Sequence, residues 1–590
     1  MKYSKYKDVS PEETIKTIKK IYDEKLGLKL KLNVSKRIDG IFSATLTDID
    51  AGWNTCGKGT SDLFCAASAY GESVEHLCNY FAYEITNLSK EANEAFGFEK
   101  YPDEVKKDLT YIYTEMPDML LDLRMAYGLV RNKMIPDEKI IELWKKFLHR
   151  DIVPFVPYYS IKTRKYKMVP ENMIFYLCGS NGGAAGNTPE EAIGHACDEI
   201  IERYVKHKIY MESLTPPEVP REYISKRCPE LIEVINTLEK NKGYKIIVKD
   251  ASLGLGFSVM SVLMINQKKA EYLVNFGAHP KFEIALERCL TEMLQAFIPE
   301  KHNYRKNMEK WSDEIQKRAK YPQNWVTILK DDSGAVPDTF FLGSPSWKFQ
   351  AWPQYPEYSN RMGMEIQLKK LLEIAPDVYI HDVSYLGFPA YRVYAPTVST
   401  SYIPFDEFQL KCYETIELFV KMAEKGEYSI DNIQKLEKTL FNEKTFINGL
   451  IFRSLGEGRF HLLHAAVCCD IREFELSKKY LRLSRTQYSE CLIRTVELME
   501  KGISKDNMKY LLKLFSEEEI AKLSFEWIDR KAFEGTMKLF ESMGVSFSQR
   551  MFMQKKNIDA INKLHVQLKK TMLEQNRGEA IDRFFAKIKI

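Results

Sequence analysis

Apolar residues in this chain recur with two periods, and the switch between them marks three similar stretches. Each reads as a strand, a glycine-rich turn and then a helix with one apolar side and one polar side. The first, TDIDAGWNTCGKGTSDLFCAASAYGESVEH, opens its helix at about Thr60. At 100° per residue Leu63, Ala66, Tyr70, Val74, Leu77 and Phe81 share one side, while Ser68, Glu72, Glu75 and Asn79 share the other. In the second, MIFYLCGSNGGAAGNTPEEAIGHACDEIIER, Asn187 or Thr188 caps a helix with Pro189 at an early, tolerated position. Ile193, Ala196, Ile200 and Tyr204 form its apolar side, and Glu191, His195, Asp198, Glu199 and Glu202 crowd the opposite one. The third, AEYLVNFGAHPKFEIALERCLTEMLQ, sets Arg288, Glu292 and Gln295 at i, i+4, i+7, with Phe282, Leu286, Met293 and Phe297 elsewhere on an apolar band.

Strands are predicted at GIFSATLTDI, YKIIVKDAS, SVMSVLMI, EYLVNFGA and AYRVYAP, all rich in β-branched and aromatic residues. Ser10-Pro11-Glu12-Glu13 reads as a capping box opening an N-terminal helix, with Lys7 just before it and Thr14 one turn in. Residues 322–363 hold many Pro, Gly, Trp and Tyr and read as long ordered loops. All 23 prolines lie at or before Pro404. Proline is expelled from helix interiors, so the remainder reads as nearly all helix. LKCYETIELFVKMAEKG and NMKYLLKLFSEEEIAKLSF carry helical spacing, and HLLHAAVCCDIREFELSKKYLRLS reads as two short antiparallel helices of tetratricopeptide flavour. The expected architecture is therefore an α+β domain over 1–404 with a diverged three-fold strand–turn–helix pattern. An all-helical domain follows over 405–590.

Composition narrows the field. The 590 residues carry a net charge of +4, too little for a nucleic-acid coat. KTRKYK, the densest basic run, reads as a solvated loop. MKYSKYKDVSPEE lacks the apolar core of a signal peptide, and no run reaches the length of a membrane span, so a cytoplasmic protein is expected. The eleven cysteines are scattered without a C-x-x-C pair or a three-cysteine cluster, which suits free thiols and excludes an iron–sulfur centre.

The polar stripes carry the candidate chemistry. Each alone is also what a solvated helix face looks like. Four acids within about three turns of the second helix repel one another by a few tenths of a kcal/mol per pair, a cost that divalent cations remove. Hard oxygen ligands suit Mg2+, which prefers one or two carboxylates plus phosphate oxygens. Periodicity does not separate Asp198 from Glu199 as the ligand. Gly57-Lys58-Gly59 puts a lysine and free amides beside a helix start, where an anion fits. Arg288, if its face meets the others, clamps phosphate through its planar fork, and otherwise pairs with Glu292 at the surface. His195 reads as structural, and His279, before Pro280, as unspecific. No nucleophile elbow, zinc spacing or dinucleotide fingerprint occurs.

KGTSDLFCAASAYGESVEH, SNGGAAGNTPEEAIGHACDEIIERYVKHKI and NFGAHPKFEIALERCLTEMLQ, in this order and spacing, resemble the YcaO family. The likeness is strongest there and extends over most of residues 1–404. KDASLGLGFSVMSVLMI, HDVSYLGFPAYRVYAP and the helical tail resemble its stand-alone bacterial branch. The resemblance implies an enzyme that binds ATP through Mg2+ and phosphorylates the oxygen of a backbone amide, which a nucleophile then attacks. It implies metal ligands at Glu72, Glu75, Glu199 and Glu202, choosing Glu199 over Asp198. It implies ATP contacts at Lys7, Thr14, Ser68, Glu72, Asn187, Glu191, Arg203 and Arg288. Family members often carry arginine where this chain has His76. Azoline-forming members often end in a proline-rich tail, whereas this chain ends RFFAKIKI. That favours an accessory role in β-methylthiolation of a small-subunit ribosomal protein beside a radical partner enzyme, in a homodimer with no nucleic-acid or membrane partner. Azoline or thioamide formation on a peptide, or a non-catalytic nucleotide-binding adaptor, are the alternatives.

Overall fold

The structure, a computed structural model, describes residues 6–80, 90–123, 136–148, 150–295, 309–310, 336–400, 457–529, 531–532, 534–536, 539, 555–574 and 578–588. Contacts divide the chain into two compact units. One comprises 1–86, 91–404 and 564–590; the other comprises 87–90 and 405–563. The first boundary falls where the prolines stop, but residues 564–590 belong with the first unit rather than with the helical tail that precedes them.

The first unit is mixed α and β. Helix α1 (Pro11–Ile21) starts at Ser10, whose hydroxyl accepts from the Glu13 amide at 3.3 Å. Of the expected capping box this is the Ser10 half; the Glu13 carboxylate takes Lys16 Nζ at 3.4 Å. Strands β1 (Leu30–Ile38), β2 (Ile41–Asp48) and β3 (Asn54–Gly59) form an antiparallel sheet with β2 central. Helix α2 (Asp62–Cys78) lies against β2, β3 and α1, its Ser61 cap accepting from the Phe64 amide.

A second sheet runs β4 (Val105–Asp108), β5 (Ile152–Ser160), β12 (Tyr379–Asp382), β13 (Ala390–Tyr394), β7 (Gly183–Ala185), with β6 (Tyr166–Pro170) on β5. Helix α3 (Pro189–Met211) follows β7 and is capped by Thr188, whose hydroxyl accepts from the Glu191 amide. The third sheet orders β11 (Glu309–Lys310), β10 (Glu271–Ala278), β9 (Val259–Asn266), β8 (Lys245–Asp250). Helices α4 (Pro229–Lys242) and α5 (Phe282–Gln295) cover one face of this sheet and α3 the other. Along β9 the side chains alternate between these layers, Val259 and Leu263 toward α3, Met260, Val262 and Met264 toward α4 and α5. Covered on both faces, the strand reads as a nearly continuous apolar run, interrupted only by the buried Ser261 before its terminal Asn266. Fully burying one such side chain stabilises the fold by about 1.5–3 kcal/mol.

The three strand–helix stretches are thus present as β3–α2, β7–α3 and β10–α5, each with its strand in a different sheet. All five predicted strands are found, as β2, β8, β9, β10 and β13. Helix α6 (Asn360–Leu372) packs along α3, the backbone of Met364 meeting Gly194, where no side chain intervenes. Residues 342–359 before it are irregular, anchored by Trp352 and by Trp347 against Gly254.

The second unit is helical where described: α7 (Glu457–Asp470), α8 (Phe474–Ser484), α9 (Ser489–Glu500), α10 (Lys505–Phe515) and α11 (Glu518–Ile528). The predicted antiparallel pair is α7–α8, closed by a three-residue link and by Ser477 Oγ donating to the Ala465 carbonyl at 2.7 Å. The segment LKCYETIELFVKMAEKG lies outside the described residues. Helices α12 (Lys555–Glu574) and α13 (Gly578–Ala586) follow. Residues beyond 563 join the first unit: Phe585 stacks on Tyr159 at 4.5 Å, Tyr166 donates to Asp582, and Arg361 donates to the Lys587 carbonyl. Among the described residues no helix is long and apolar enough to cross a membrane.

Candidate functional site

The polar sides of α3 and α5 line one cleft of the first unit, with the residues before α1 and the start of α6, and the polar side of α2 adjoins it through Lys58 of β3. Glycine makes the approach possible. Gly57 and Gly59 lie in β3 with their missing side chains against α2, where any Cβ would overlap the Cys65 backbone. Gly277 repeats the device in β10, 2.6 Å from the Ala285 carbonyl for a hypothetical Cβ. The expected turn at Gly57-Lys58-Gly59 is therefore a strand, paired with Ala44, Ser43 and Phe42, and its glycines serve strand-on-helix packing instead of a phosphate cradle.

Lys58, between those glycines, faces the other way, into the cleft, and pairs with Glu292 of α5. The expected surface pair of Arg288 with Glu292 is absent. Arg288 reaches α3 instead, its Nη1 donating to Asp198 at 2.7 Å and to the Ala278 carbonyl at 2.7 Å. Gln367 of α6 donates to the other Asp198 oxygen at 2.5 Å. The adjacent carboxylates that periodicity leaves equivalent are thus held differently. Asp198 is buried and fully engaged, while Glu199 is part-exposed, accepting from Arg203 Nη2 at 2.9 Å and the Gly182 amide at 3.2 Å.

The segment before α1 is tied down at the same place. Lys7 Nζ donates to Glu191 at 2.6 Å, Thr14 Oγ1 donates to Asn187 Oδ1 at 2.8 Å, and Asn187 Nδ2 donates on to Glu191 at 3.2 Å. Ser68 is half-buried on α2, one turn before Glu72. Glu72 accepts weakly from the Cys56 amide at 3.5 Å. Of the apolar positions on α2, Ala66, Tyr70, Val74 and Leu77 are buried, but Leu63 is exposed at the first turn. Asn79, read as polar-faced, is buried as the C-cap, its side chain donating to the Glu75 carbonyl. Phe81 and Phe297 lie outside the described residues.

Four carboxylates, Glu72, Glu75, Glu199 and Glu202, are coupled to one another and to Lys58 beside the Arg288 wall of the cleft. Burial pushes Glu72 up to about 7 against Lys58 and the Cys56 amide, with a smaller upward push from Glu199. Burial, then Glu199 and Glu72, hold Glu75 well above the ordinary carboxylate range. Glu202 is raised by burial and Glu199 against the pull of Lys58 and Arg203. Lys58 is lowered by burial, though Glu72, Glu202 and Glu199 all favour its charge. Such a set is starved of positive charge. Among the described residues no three His, Cys, Asp or Glu side chains converge on a point by themselves. The donors nonetheless fit Mg2+, a hard ion that takes one or two carboxylates and completes its shell with phosphate and water.

His195 lines the cleft with its side chain open to solvent; the crowding protein around it, then the cations Arg288, Lys7 and Lys58, lower its pKa and favour the neutral ring. His279 and Tyr358 also line it, joined by a 3.1 Å hydrogen bond. Nothing in the periodicity marks Tyr358, which arrives from an irregular segment 79 residues away.

The family model described as YcaO cyclodehydratase, ATP- and Mg2+-binding, matches residues 56–399. An uncharacterized protein of Haemophilus influenzae is 31% identical over 363 residues, 59% of this chain and 57% of its own length. The ribosomal protein S12 methylthiotransferase accessory factor YcaO of Escherichia coli is 27% identical over 522 residues, 82% of this chain and 84% of its own. Among solved structures, YcaO from Methanopyrus kandleri bound with AMPPCP and Mg2+ is 18% identical with TM-score 0.42, over 66% of this chain and 92% of that one. A heterocyclase in complex with substrate and cofactor is 17% identical with TM-score 0.46, over 66% and 52%. The match thus spans little more than half the length of the Haemophilus protein and of the heterocyclase. Since the family model covers more than half of the sequence, including all three helices that build the cleft, the chain belongs to the YcaO family, which binds ATP and Mg2+.

Proposed function

We propose that this protein is an ATP- and Mg2+-dependent enzyme that activates a backbone amide of a protein or peptide substrate. Its biological setting, on this proposal, is accessory to β-methylthiolation of a small-subunit ribosomal protein. The observation that carries the reading is the meeting of Glu72, Glu75, Glu199 and Glu202 with Lys58 and Arg288 in one cleft. Likeness to the Escherichia coli accessory factor over 82% of the chain supports the setting.

Phosphoryl transfer asks a protein mainly for positioning and charge compensation. The amide oxygen bonds to the γ-phosphorus as ADP leaves, and a nucleophile then adds to the amide carbon as phosphate leaves. Glu72, Glu75, Glu199 and Glu202 are the residues assigned to hold Mg2+, which when bound neutralises charge on the triphosphate. Arg288 is braced by Asp198 and Ala278 through Nη1, leaving Nε and Nη2 for phosphate. Lys7 and Thr14, tethered to Glu191 and Asn187, bring the N-terminal segment over the nucleotide, with Ser68 and Arg203 on the flanking helices. Sulfur insertion belongs to a separate radical enzyme, a division supported by the absence of clustered cysteines in the sequence. A homodimer is part of the same proposal.

The test is ATP turnover by Glu202→Gln and Arg288→Ala. Loss of turnover in both is expected; wild-type hydrolysis in both refutes the site.

A further inference from the structure

An arginine beside a carboxylate frequently closes a two-bond fork, one edge of the guanidinium meeting both oxygens. Arg288 and Asp198 do not. Nη1 alone makes the contact, to Asp198 Oδ2 at 2.7 Å, and gives its second hydrogen to the Ala278 carbonyl, also at 2.7 Å. These two bonds on one nitrogen fix the plane of the guanidinium. Among the described residues, Arg288 Nε and Nη2 make no hydrogen bond to the protein.

The other Asp198 oxygen explains the single contact. Oδ1, which a fork would need, instead accepts from Gln367 Nε2 of α6 at 2.5 Å. Asp198 is 2% exposed and Gln367 1%. Water is kept from both, so an Oδ1 deprived of Gln367 would be left unsatisfied in the interior, at the full desolvation cost of that atom. The unused N–H groups of Arg288 are then the donors on hand. The reach across to α6 is set by packing: Gly194 on α3 lies against the Met364 backbone on α6, 3.7 Å for a hypothetical Cβ. Asp198 and Gln367 each sit one turn further along, at i+4 and i+3 on the same helix sides. Apolar side chains would join the helices there without the desolvation penalty, so packing alone does not account for the polar pair.

We propose that Gln367 is a positioning residue for nucleotide binding: by occupying Asp198 Oδ1 it keeps Asp198 from closing a fork on Arg288, and so holds the Nε–Nη2 edge of the guanidinium open for phosphate. Gln367 itself touches no nucleotide. Its action runs through Asp198 to Arg288, and the inference rests on the reading of Arg288 as a phosphate contact.

The test titrates the full chain with Mg2+–AMPPCP. Gln367→Met keeps an unbranched side chain of high helix propensity and removes the donor. It is expected to raise Kd about ten-fold, the size of one hydrogen bond to a charged group. In an Asp198→Asn background no second carboxylate oxygen remains to close the fork, and the same substitution is expected to change Kd by less than about two-fold. A general loosening of the α3–α6 contact would weaken binding equally in both backgrounds. An equal loss in both, or an unchanged Kd without Asp198→Asn, overturns the inference. Gln367→Asn, whose amide falls one carbon short of Oδ1, carries the same expectations, so the outcome does not hang on the chain accepting methionine. Crystals of either variant are expected to show Arg288 donating to both Asp198 oxygens; a single contact as in the present structure overturns it too. If the wild-type chain binds no Mg2+–AMPPCP, the nucleotide reading of the cleft fails and this inference with it. If Arg288→Ala weakens binding and Gln367→Met does not, only the role of Gln367 fails.

Discussion

The two ends of the cleft are built from the same residue types and solve the problem of buried charge in opposite ways. At the Arg288 end each cation has a carboxylate within 2.7 Å, and His279 and Tyr358 satisfy each other by a hydrogen bond beside them. At the Glu72 end burial first and neighbouring carboxylates after it hold Glu72, Glu75 and Glu202 above the usual carboxylate range, with Lys58 and Arg203 among them as counter-ions. A buried pair satisfies itself; a buried excess waits for a ligand. On the reading proposed above, the carboxylate-rich end is where Mg2+ and the triphosphate would bind.

Breaking the contrast by removing one charge from each end has the largest effect. Glu202→Gln and Arg288→Ala are each expected to lower ATP turnover by about 10²-fold or more, the usual consequence of losing one preorganised electrostatic group. A steady-state assay of ADP release checks it. Next in size is Gly277→Val, which leaves the charges alone and forces a branched side chain against the Ala285 carbonyl. A loss of about 1–3 kcal/mol is expected in denaturant unfolding, and an unchanged midpoint would mean that the strand–helix approach is not tight.

Lys58→Met sharpens the comparison. Without its lysine, the acid end is expected to be less stable by about 1 kcal/mol in metal-free buffer, and to gain more in Tm than wild type does when Mg2+–AMPPCP is added. Thermal scans with and without ligand decide this. A smaller effect concerns pH. The Glu72 pKa is raised from 4.5 to about 7 on folding, so the folded chain binds that proton more tightly than the unfolded chain. Its contribution favours the fold at low pH and is lost as pH rises from about 4.5 to about 7. Bound Mg2+ needs the carboxylate, so Mg2+–AMPPCP affinity is expected to rise with pH up to about 7 and then level off. A flat profile between pH 5 and 8 would remove Glu72 from the metal's surroundings.

Periodicity carried far because α2, α3 and α5 each bury one side and line the cleft with the other. Their caps, faces and preceding strands follow from local rules that neighbours in sequence obey. What escaped depends on distant partners. Asp198 and Glu199 sit side by side on one helix, and distant partners distinguish them, Arg288 90 residues on and Gln367 169 residues on. Gly57 and Gly59 look alike whether they serve a phosphate turn or a tight strand–helix contact; the β2 pairing decides it. Tyr358 has no period to betray it. Residues 564–590 show the same amphipathic pattern as the helices before them, and such a pattern does not say which core it will join.

That last assignment has a consequence for biogenesis. The nucleotide-binding half is discontinuous: residues 405–563 are spliced into it as a guest, and the strip that seals it emerges from the ribosome after the guest is complete. Closing so long a loop costs little more than closing a short one, because the penalty grows only with the logarithm of length. The cost is in timing. A nascent chain holds an unsealed first unit until translation passes Phe585, and a frameshift anywhere in the guest would leave Tyr159 bare.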